Sequence, residues 1–285
     1  MENKVVISSE SFEPEHIFES GQCFRWNKVS DDIYKGVVNG KIITTKKCGD
    51  KIEIYGIDQK EFEDYFENYF DLKTDYKKIK ELYSKDPQLK LAIEYGHGLR
   101  VLNQDPFETM LSFIISANNQ IPRIKRSIKL LSKHFGEYID TIDGEEFYKF
   151  PTPQVLASAK VEDIRELTRV GFRDYRIVRA AQMVVSEEIK LDELYDMKRE
   201  EAKKVLMQVP GIGSKVADCI LLFALQKKDA FPVDVWIKRI METLYLNREV
   251  NVKDIADYGR EVFGENAGIA QQYLFYYGRE NKIGK

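Results

Sequence analysis

The chain has 285 residues, 43% of them hydrophobic, with 44 Lys and Arg against 47 Asp and Glu and a formal net charge of -3. This is material for a full core and two domains, and the near-balanced charge excludes a uniformly basic, nonspecific polyanion binder. Cys23, Cys48 and Cys219 are too few and too scattered to build a disulfide framework or a four-thiolate metal or iron-sulfur centre, and no apolar run suits a signal peptide or a membrane span, which places the protein in the cytoplasm.

Residues 1 to about 57 read as strands. The stretch 24–56, FRWNKVSDDIYKGVVNGKIITTKKCGDKIEIYG, is rich in Val, Ile, Thr and Tyr, and Asn39-Gly40 and Gly49-Asp50 mark turns, so an antiparallel sheet is expected. From Asp58 the period changes to three and four: Phe62, Tyr65, Phe66 and Tyr69, then Ile79, Leu82 and Tyr83, then Leu89, Ala92 and Ile93. Asp105, Pro106 and Glu108 start a helix that is apolar almost all round and stops at Asn118-Asn119; such a helix belongs in the centre of a core. A further helix fills 121–136, and others fit 152–159, 161–171, 175–189, 198–209, 213–225, 234–246, 252–264 and 267–280. The fold class is therefore α+β: a β-rich N-terminal domain with flanking helices over 1–85, then an all-helical region over 86–285. Charge is patterned along it. EFEDYFENYFD at 61–71 is acidic, whereas RIKRSIKLLSKH at 123–134 has only basic charges and offers a local face for phosphates.

The segment LMQVPGIGSKVADCILL at 206–222 joins two helices through a Pro-Gly-Ile-Gly hairpin. Gly211 and Gly213 allow positive φ angles in a tight turn, leaving amide N-H groups at the next helix start to attract phosphate. Lys215 and Cys219, four apart, share a helix face. Lys215 is either a surface charge after a glycine cap or a nucleophile. A cation in a first turn opposes the helix dipole, and a Cys219 thiolate could share its proton, both of which favour the second reading. Asp234, after Phe231-Pro232, is placed to cap a helix. It is equally what an amine attacking a sugar carbon needs, a carboxylate to stabilise the positive charge developing at C1′.

VPGIGSKVADC at 209–219 followed by FPVDV at 231–235 resembles the helix-hairpin-helix Gly/Pro-Asp signature of DNA glycosylases, and closely that of the 8-oxoguanine DNA glycosylase family. The resemblance extends in order through SGQCFRW at 20–26, QDPFETMLSFIISANNQ at 104–120, VGFR at 170–173 and AGIAQQYLF at 267–275. It implies two helical subdomains within 86–285, with a flipped base held in the cleft between them. It also implies a bifunctional glycosylase and abasic-site lyase that excises 8-oxoguanine from double-stranded DNA in base excision repair. Lys215 would be the nucleophile and Asp234 its electrostatic partner. Gly21 would offer its carbonyl to N7-H of the lesion, Gln271 would bind the base edge, and Phe275 and Cys219 would cover its faces. Guanine N7 accepts where 8-oxoguanine N7 donates, so a fixed carbonyl separates the two by about 1–3 kcal/mol. Asn118, Arg123, Phe172 and Arg173 would fill the gap and read the partner base. Gly211 and Gly213 amides would hold a phosphate, and carbonyls of Met207, Val209 and Ile212 a hairpin cation; the chemistry would need no cofactor. The protein would act as a monomer, prokaryote-like, on the nucleoid. Eukaryotic members carry tyrosine, histidine and aspartate where this chain has Phe172, Trp236 and Gly278.

Three rivals have stated discriminators. An alkylpurine glycosylase of the superfamily uses only the aspartate, and Lys215 argues against it. An endonuclease III type carries a C-terminal cysteine cluster, which this chain lacks. A noncatalytic DNA-holding module would function without Lys215.

Overall fold

The structure is a computed structural model that describes residues 3–284. Strands β1 (Lys4–Ser8), β2 (Trp26–Ser30), β3 (Ile33–Val38), β4 (Lys41–Cys48) and β5 (Lys51–Tyr55) form one antiparallel sheet in the order β1-β5-β4-β3-β2. Asn39 and Gly40 both adopt positive φ, 49° and 70°, as a two-residue hairpin demands, and this turn sets the Val38-Lys41 register. One part of the strand expectation fails. Pro14–Phe18 is a helix, α1, opened by its proline, and it buries Ile17 and Phe18 under the sheet with Phe18 stacked on Trp26 at 4.0 Å. Five residues are too few for a helical period to show.

The chain leaves the sheet through α2 (Gln59–Glu61), a single π turn at Phe62–Phe66 and α3 (Glu67–Tyr69). Asp58 and Glu61 close a capping box at its start. Trp26, Tyr34, Ile43, Phe66 and Phe70 belong to the N-terminal core. A larger second core begins with α4 (Tyr76–Tyr83) and α5 (Pro87–Tyr95) and is centred on α6 (Pro106–Ser116), where Phe107 and residues 109–115 are buried. Asp105 caps α6 by accepting the Glu108 N-H at 2.7 Å. The Glu108 side chain does not complete a box; it accepts from Arg25 Nη1 at 3.1 Å and ties the helix to the sheet domain.

After α7 (Ile121–Phe135) comes a hairpin that the helical reading passed over, β6 (Tyr138–Ile142) and β7 (Glu145–Tyr148), turning on Asp143-Gly144, both at positive φ. The remaining helices are α8 (Pro153–Ala157), α9 (Val161–Thr168), α10 (Asp174–Val185), α11 (Arg199–Leu206), α12 (Ser214–Phe223), α13 (Val235–Met241), α14 (Val252–Phe263) and α15 (Ala267–Glu280). Two glycines let α15 approach its neighbours. A Cβ on Gly268 would collide with Leu222 of α12, and one on Gly278 with the buried Ile240 of α13. The glycine at 278 thus answers a packing need. A buried knot joins the two parts of the chain: Gln22 Nε2 donates to the carbonyls of Ile17 at 3.0 Å and Arg100 at 2.7 Å, while its Oε1 accepts from the Leu102 N-H at 2.8 Å.

Candidate active site

Beyond α11 the chain turns at Pro210-Gly211, closed by the Ile212 N-H donating to the Val209 carbonyl at 3.0 Å. Gly211 has φ +94°, and a Cβ there would lie 2.7 Å from Arg176 Cδ. Gly213 corrects the expectation of a second positive angle: it is extended, φ -92° and ψ -178°, and serves as the N-cap of α12. No side chain caps this helix, so its first-turn amides remain available to an anion.

Lys215 stands in that first turn, half-buried, with Nζ 5.3 Å from the centre of the Phe113 ring on α6. Phe113 in turn meets Phe24 and Phe223, each at 5.5 Å. A chain of aromatic contacts therefore connects the lysine to the loop that carries Gly21. Cys219 is buried one turn later, and burial pushes its thiol up to about 11 despite the opposing pull of Lys215. The thiolate expected there does not form near neutral pH. Cys219 is a buried neutral thiol on the Lys215 face of α12. Asp234 caps α13, its Oδ1 accepting the Ile237 N-H at 2.8 Å. Its charge also helps raise the Cys219 thiol, which puts the carboxylate in electrostatic reach of α12.

Gly21 has φ +78°, and a Cβ on it would lie 3.2 Å from the Phe275 ring and 3.3 Å from Arg279 Nη1. The carbonyl before it, on Ser20, accepts from Gln272 Nε2 at 2.8 Å. Gln271, 4% exposed, has an Oε1 with no hydrogen-bond partner among the described residues. Such a buried acceptor awaits a donor. Phe275 lies one turn along the same face of α15. Gly21, Gln271 and Phe275, distant in sequence, thus converge on one edge of the site. Sequence reasoning missed Gln22, Gln272 and Arg279, which fix this loop. The one available signal was polar residues inside apolar stretches, as in the doublet Gln271-Gln272.

Asn118 is exposed at φ +51°, and Phe172 projects with 58% of its surface exposed. Arg173 departs from its expected outward role. It is 6% exposed, and its guanidinium donates to the carbonyls of Ala117, Asn118 and Val170, so it shapes the Asn118 turn and stacks on Phe172 at 4.3 Å. Arg176 approaches the same ring at 5.2 Å. The uniformly cationic face expected of 123–134 is also corrected. Lys129 and Lys133 pair with Glu145 and Glu146 of the unforeseen hairpin, and Lys125 with Glu19, which leaves Arg123 and Arg126 exposed without a carboxylate partner among the described residues.

Trp236 lies under the Arg239 guanidinium at 5.8 Å. Among the described residues no group of three or more His, Cys, Asp or Glu is arranged to hold a metal ion. Of the hairpin carbonyls, that of Val209 already accepts the Ile212 N-H and keeps its second lone pair. Two open clefts of about 860 and 760 Å³ lie elsewhere, lined by residues such as Arg199 and Arg260 in one and Glu108 and Asp192 in the other.

Comparison with known proteins adds independent findings. Residues 4–110 match the 8-oxoguanine DNA glycosylase, N-terminal domain, and residues 111–263 match the HhH-GPD superfamily base excision DNA repair protein. A probable N-glycosylase/DNA lyase of Methanothermobacter thermautotrophicus is 34% identical over 80% of this chain and 78% of its own length. The 8-oxoguanine glycosylase/lyase of Clostridium acetobutylicum, solved with double-stranded DNA containing cytosine opposite 8-oxoG, superimposes with a TM-score of 0.95 at 42% identity, covering 99% of this chain and 97% of that one. MBOgg1, solved with a low affinity DNA ligand, gives the same TM-score and coverage at 45% identity.

Proposed function

We infer function from one premise: the chain belongs to the 8-oxoguanine DNA glycosylase family within the helix-hairpin-helix superfamily of base excision repair proteins. It is a DNA N-glycosylase with abasic-site lyase activity, and its substrate is double-stranded DNA containing 8-oxoguanine. The observation that carries the assignment to this site is the combination of an amine-bearing helix start, a capping carboxylate and a loop glycine packed beside an aromatic ring.

In this reading the backbone amides of Ser214 to Val216 and of the hairpin hold a DNA phosphate through their N-H groups, while Phe172 and Asn118 occupy the gap left by the flipped nucleotide. Gly21 presents its carbonyl to N7-H. Gln271 Oε1 accepts from the base's Watson-Crick edge, and Phe275 and Cys219 cover its faces. The Lys215 amine then attacks C1′ and the bond from C1′ to N9 breaks, its electrons leaving with the base, which takes up a proton. Asp234 stabilises the positive charge that peaks at C1′ between those events. The C1′–O4′ bond of the resulting N,O-acetal opens, O4′ taking up a proton, to give an imine; a proton then leaves C2′ and β-elimination expels the 3′ phosphate. Water hydrolyses the imine and returns the lysine, so the sequence balances without a cofactor.

Arg123 reads the partner base from outside, whereas Arg173 acts through the Asn118 turn it holds. Carbonyls of Met207, Val209 and Ile212 would hold a cation that bridges the hairpin to phosphate. The two cores support a sheet domain followed by a helical region, but Tyr76, Ile79 and Tyr83 pack into the second core, which groups α4 with the helical region rather than with 1–85. The protein works as a monomer in the cytoplasm, on the nucleoid; no described helix is long and apolar enough to cross a membrane.

Lys215→Gln tests the assignment. It should abolish excision and borohydride trapping on 8-oxoguanine DNA while leaving affinity for that DNA within about threefold, since one neutral amide replaces one amine among many contacts. A trapped adduct in that variant would assign the chemistry to another amine.

A further inference from the structure

The lesion edge of the site contains a cation that the reaction scheme does not use. Arg279 lies on α15 one turn beyond Phe275, and its guanidinium carbon is 5.4 Å from the centre of that ring. Its Nη2 donates to the Glu19 carbonyl at 2.6 Å, two residues before Gly21. Glu280 accepts from Nε at 2.9 Å and pairs with Nη2 at 2.8 Å, which orients the fork from the solvent side. Nη1 is buried, has no partner among the described residues, and would lie 3.3 Å from a Cβ on Gly21.

An arginine near a helix C-terminus is ordinarily there for the last carbonyls and for solvent. Arg279 differs in that its side chain is only 17% exposed and each face of its guanidinium has an assigned neighbour. One direction holds the loop, another lies against the stacking ring, and the third, with its free N-H donors, lies beside Gly21. A lysine could reproduce the charge but not this planar division of contacts. The same loop is fixed from behind by Gln22, which donates to the Arg100 carbonyl, and by Gln272, which donates to the Ser20 carbonyl. Arg279 touches both the loop and the Phe275 ring.

We propose that Arg279 is a positioning residue for lesion recognition, one that locks the loop presenting the Gly21 carbonyl and the stacking ring of Phe275 into a single unit. The spacing between a hydrogen-bonding carbonyl and a stacking plane decides whether a purine can satisfy both at once. A guanidinium held between them sets that spacing before DNA arrives. The buried Nη1 lies against Gly21 itself, so the carbonyl-bearing loop cannot shift toward the ring without displacing the guanidinium.

This inference rests on the functional reading above, and the experiment separates the two. Cleavage at a preformed abasic site needs Lys215 but no base pocket, so it serves as the internal control. Single-turnover excision of 8-oxoguanine and cleavage of abasic duplex would be measured for wild type, Arg279→Leu and Arg279→Lys, with melting temperatures for each. Misplacing a recognition group by a fraction of an ångström to an ångström costs up to about a hundredfold, so Arg279→Leu should slow excision by about 10- to 100-fold. Abasic-site cleavage should stay within about twofold, and Arg279→Lys should recover only part of the excision rate. Equal loss of both activities, or excision as fast as wild type, would overturn the proposal. If the leucine variant does not fold, the lysine variant, which keeps a cation opposite Glu280, carries the same comparison with the same two outcomes. Wild-type protein inactive on abasic DNA would sink the functional reading instead.

Discussion

At Asp234 one carboxylate has two tasks that the geometry allows to coexist, since the cap on α13 uses Oδ1 and the Ile237 N-H alone. Asparagine caps a helix as well as aspartate does but carries no charge. Asp234→Asn should therefore melt within a few degrees of wild type yet excise roughly 100- to 1000-fold more slowly, the range for losing one electrostatic stabiliser of a transition state. Thermal denaturation and single-turnover kinetics on the same preparation check this; undiminished excision would leave Asp234 with the cap alone. The settings of Lys215 and Asp234 were readable from sequence because their signals are local: a hairpin, a helix start and a cap. Gln22 and Arg279 were not, because their partners Arg100 and Glu19 lie 78 and 260 positions away. Cys219 was expected as a thiolate and is a neutral thiol. Its neighbour Lys215 is visible in the helical spacing, whereas the burial that outweighs that neighbour is a property of the assembled core.

The elements show the same division between local and assembled signals. Long amphipathic or apolar helices such as α6, α7 and α15 carry enough periods to be recognised, and their ends fell where Asp105, Gly136 and Asn281 stand as caps. The hairpin β6-β7 was missed although Asp143-Gly144 is a strong turn dipeptide, because the flanking strands are short and mostly exposed and show little apolar alternation. Helix α1 was missed through brevity, and it introduces a pH dependence. Its His16 accepts the Gly98 N-H on Nδ1 at 3.2 Å and packs edge-on against His97 at 4.8 Å. Tyr276 lies 5.6 Å away. Burial first, then the charges of His97 and Lys47, pushes the imidazole down to about 4 from its ordinary value near 6.5. Between those pH values the unfolded chain binds a proton that the folded one refuses, so this contribution is full above about 6.5 and is lost as pH falls towards 4. His16→Gln keeps a neutral acceptor for Gly98 and removes the titration. Melting temperatures at several pH values across that window should fall less steeply for the variant than for wild type, and identical slopes would remove His16 as a cause.

For the whole molecule, the distribution of charge matters more than its sum. The carboxylates of Glu19, Glu145 and Glu146 engage the inner part of the basic segment on α7, so DNA meets few unpaired cations there. Arg123, Arg126 and Arg176, which stand without carboxylate partners among the described residues, would neutralise about three phosphates and give a log-log salt slope of about -3, with hairpin amides adding affinity but no counterion release. Titrations of undamaged duplex at several salt concentrations measure it, and a slope near zero or near -10 would contradict this distribution of charge. The buried state of α12 has a different consequence. Every residue from Val216 to Phe223 is packed inside the protein, so the lysine at its head is bolted to the centre of the molecule and cannot travel to a base. The deformation needed to bring the two together falls on the duplex, whose kinks and unstacked steps differ in stiffness from one sequence to the next. The pace of repair is then kept by the substrate: a lesion in a pliant stretch of DNA is reached sooner than the same lesion in a rigid one.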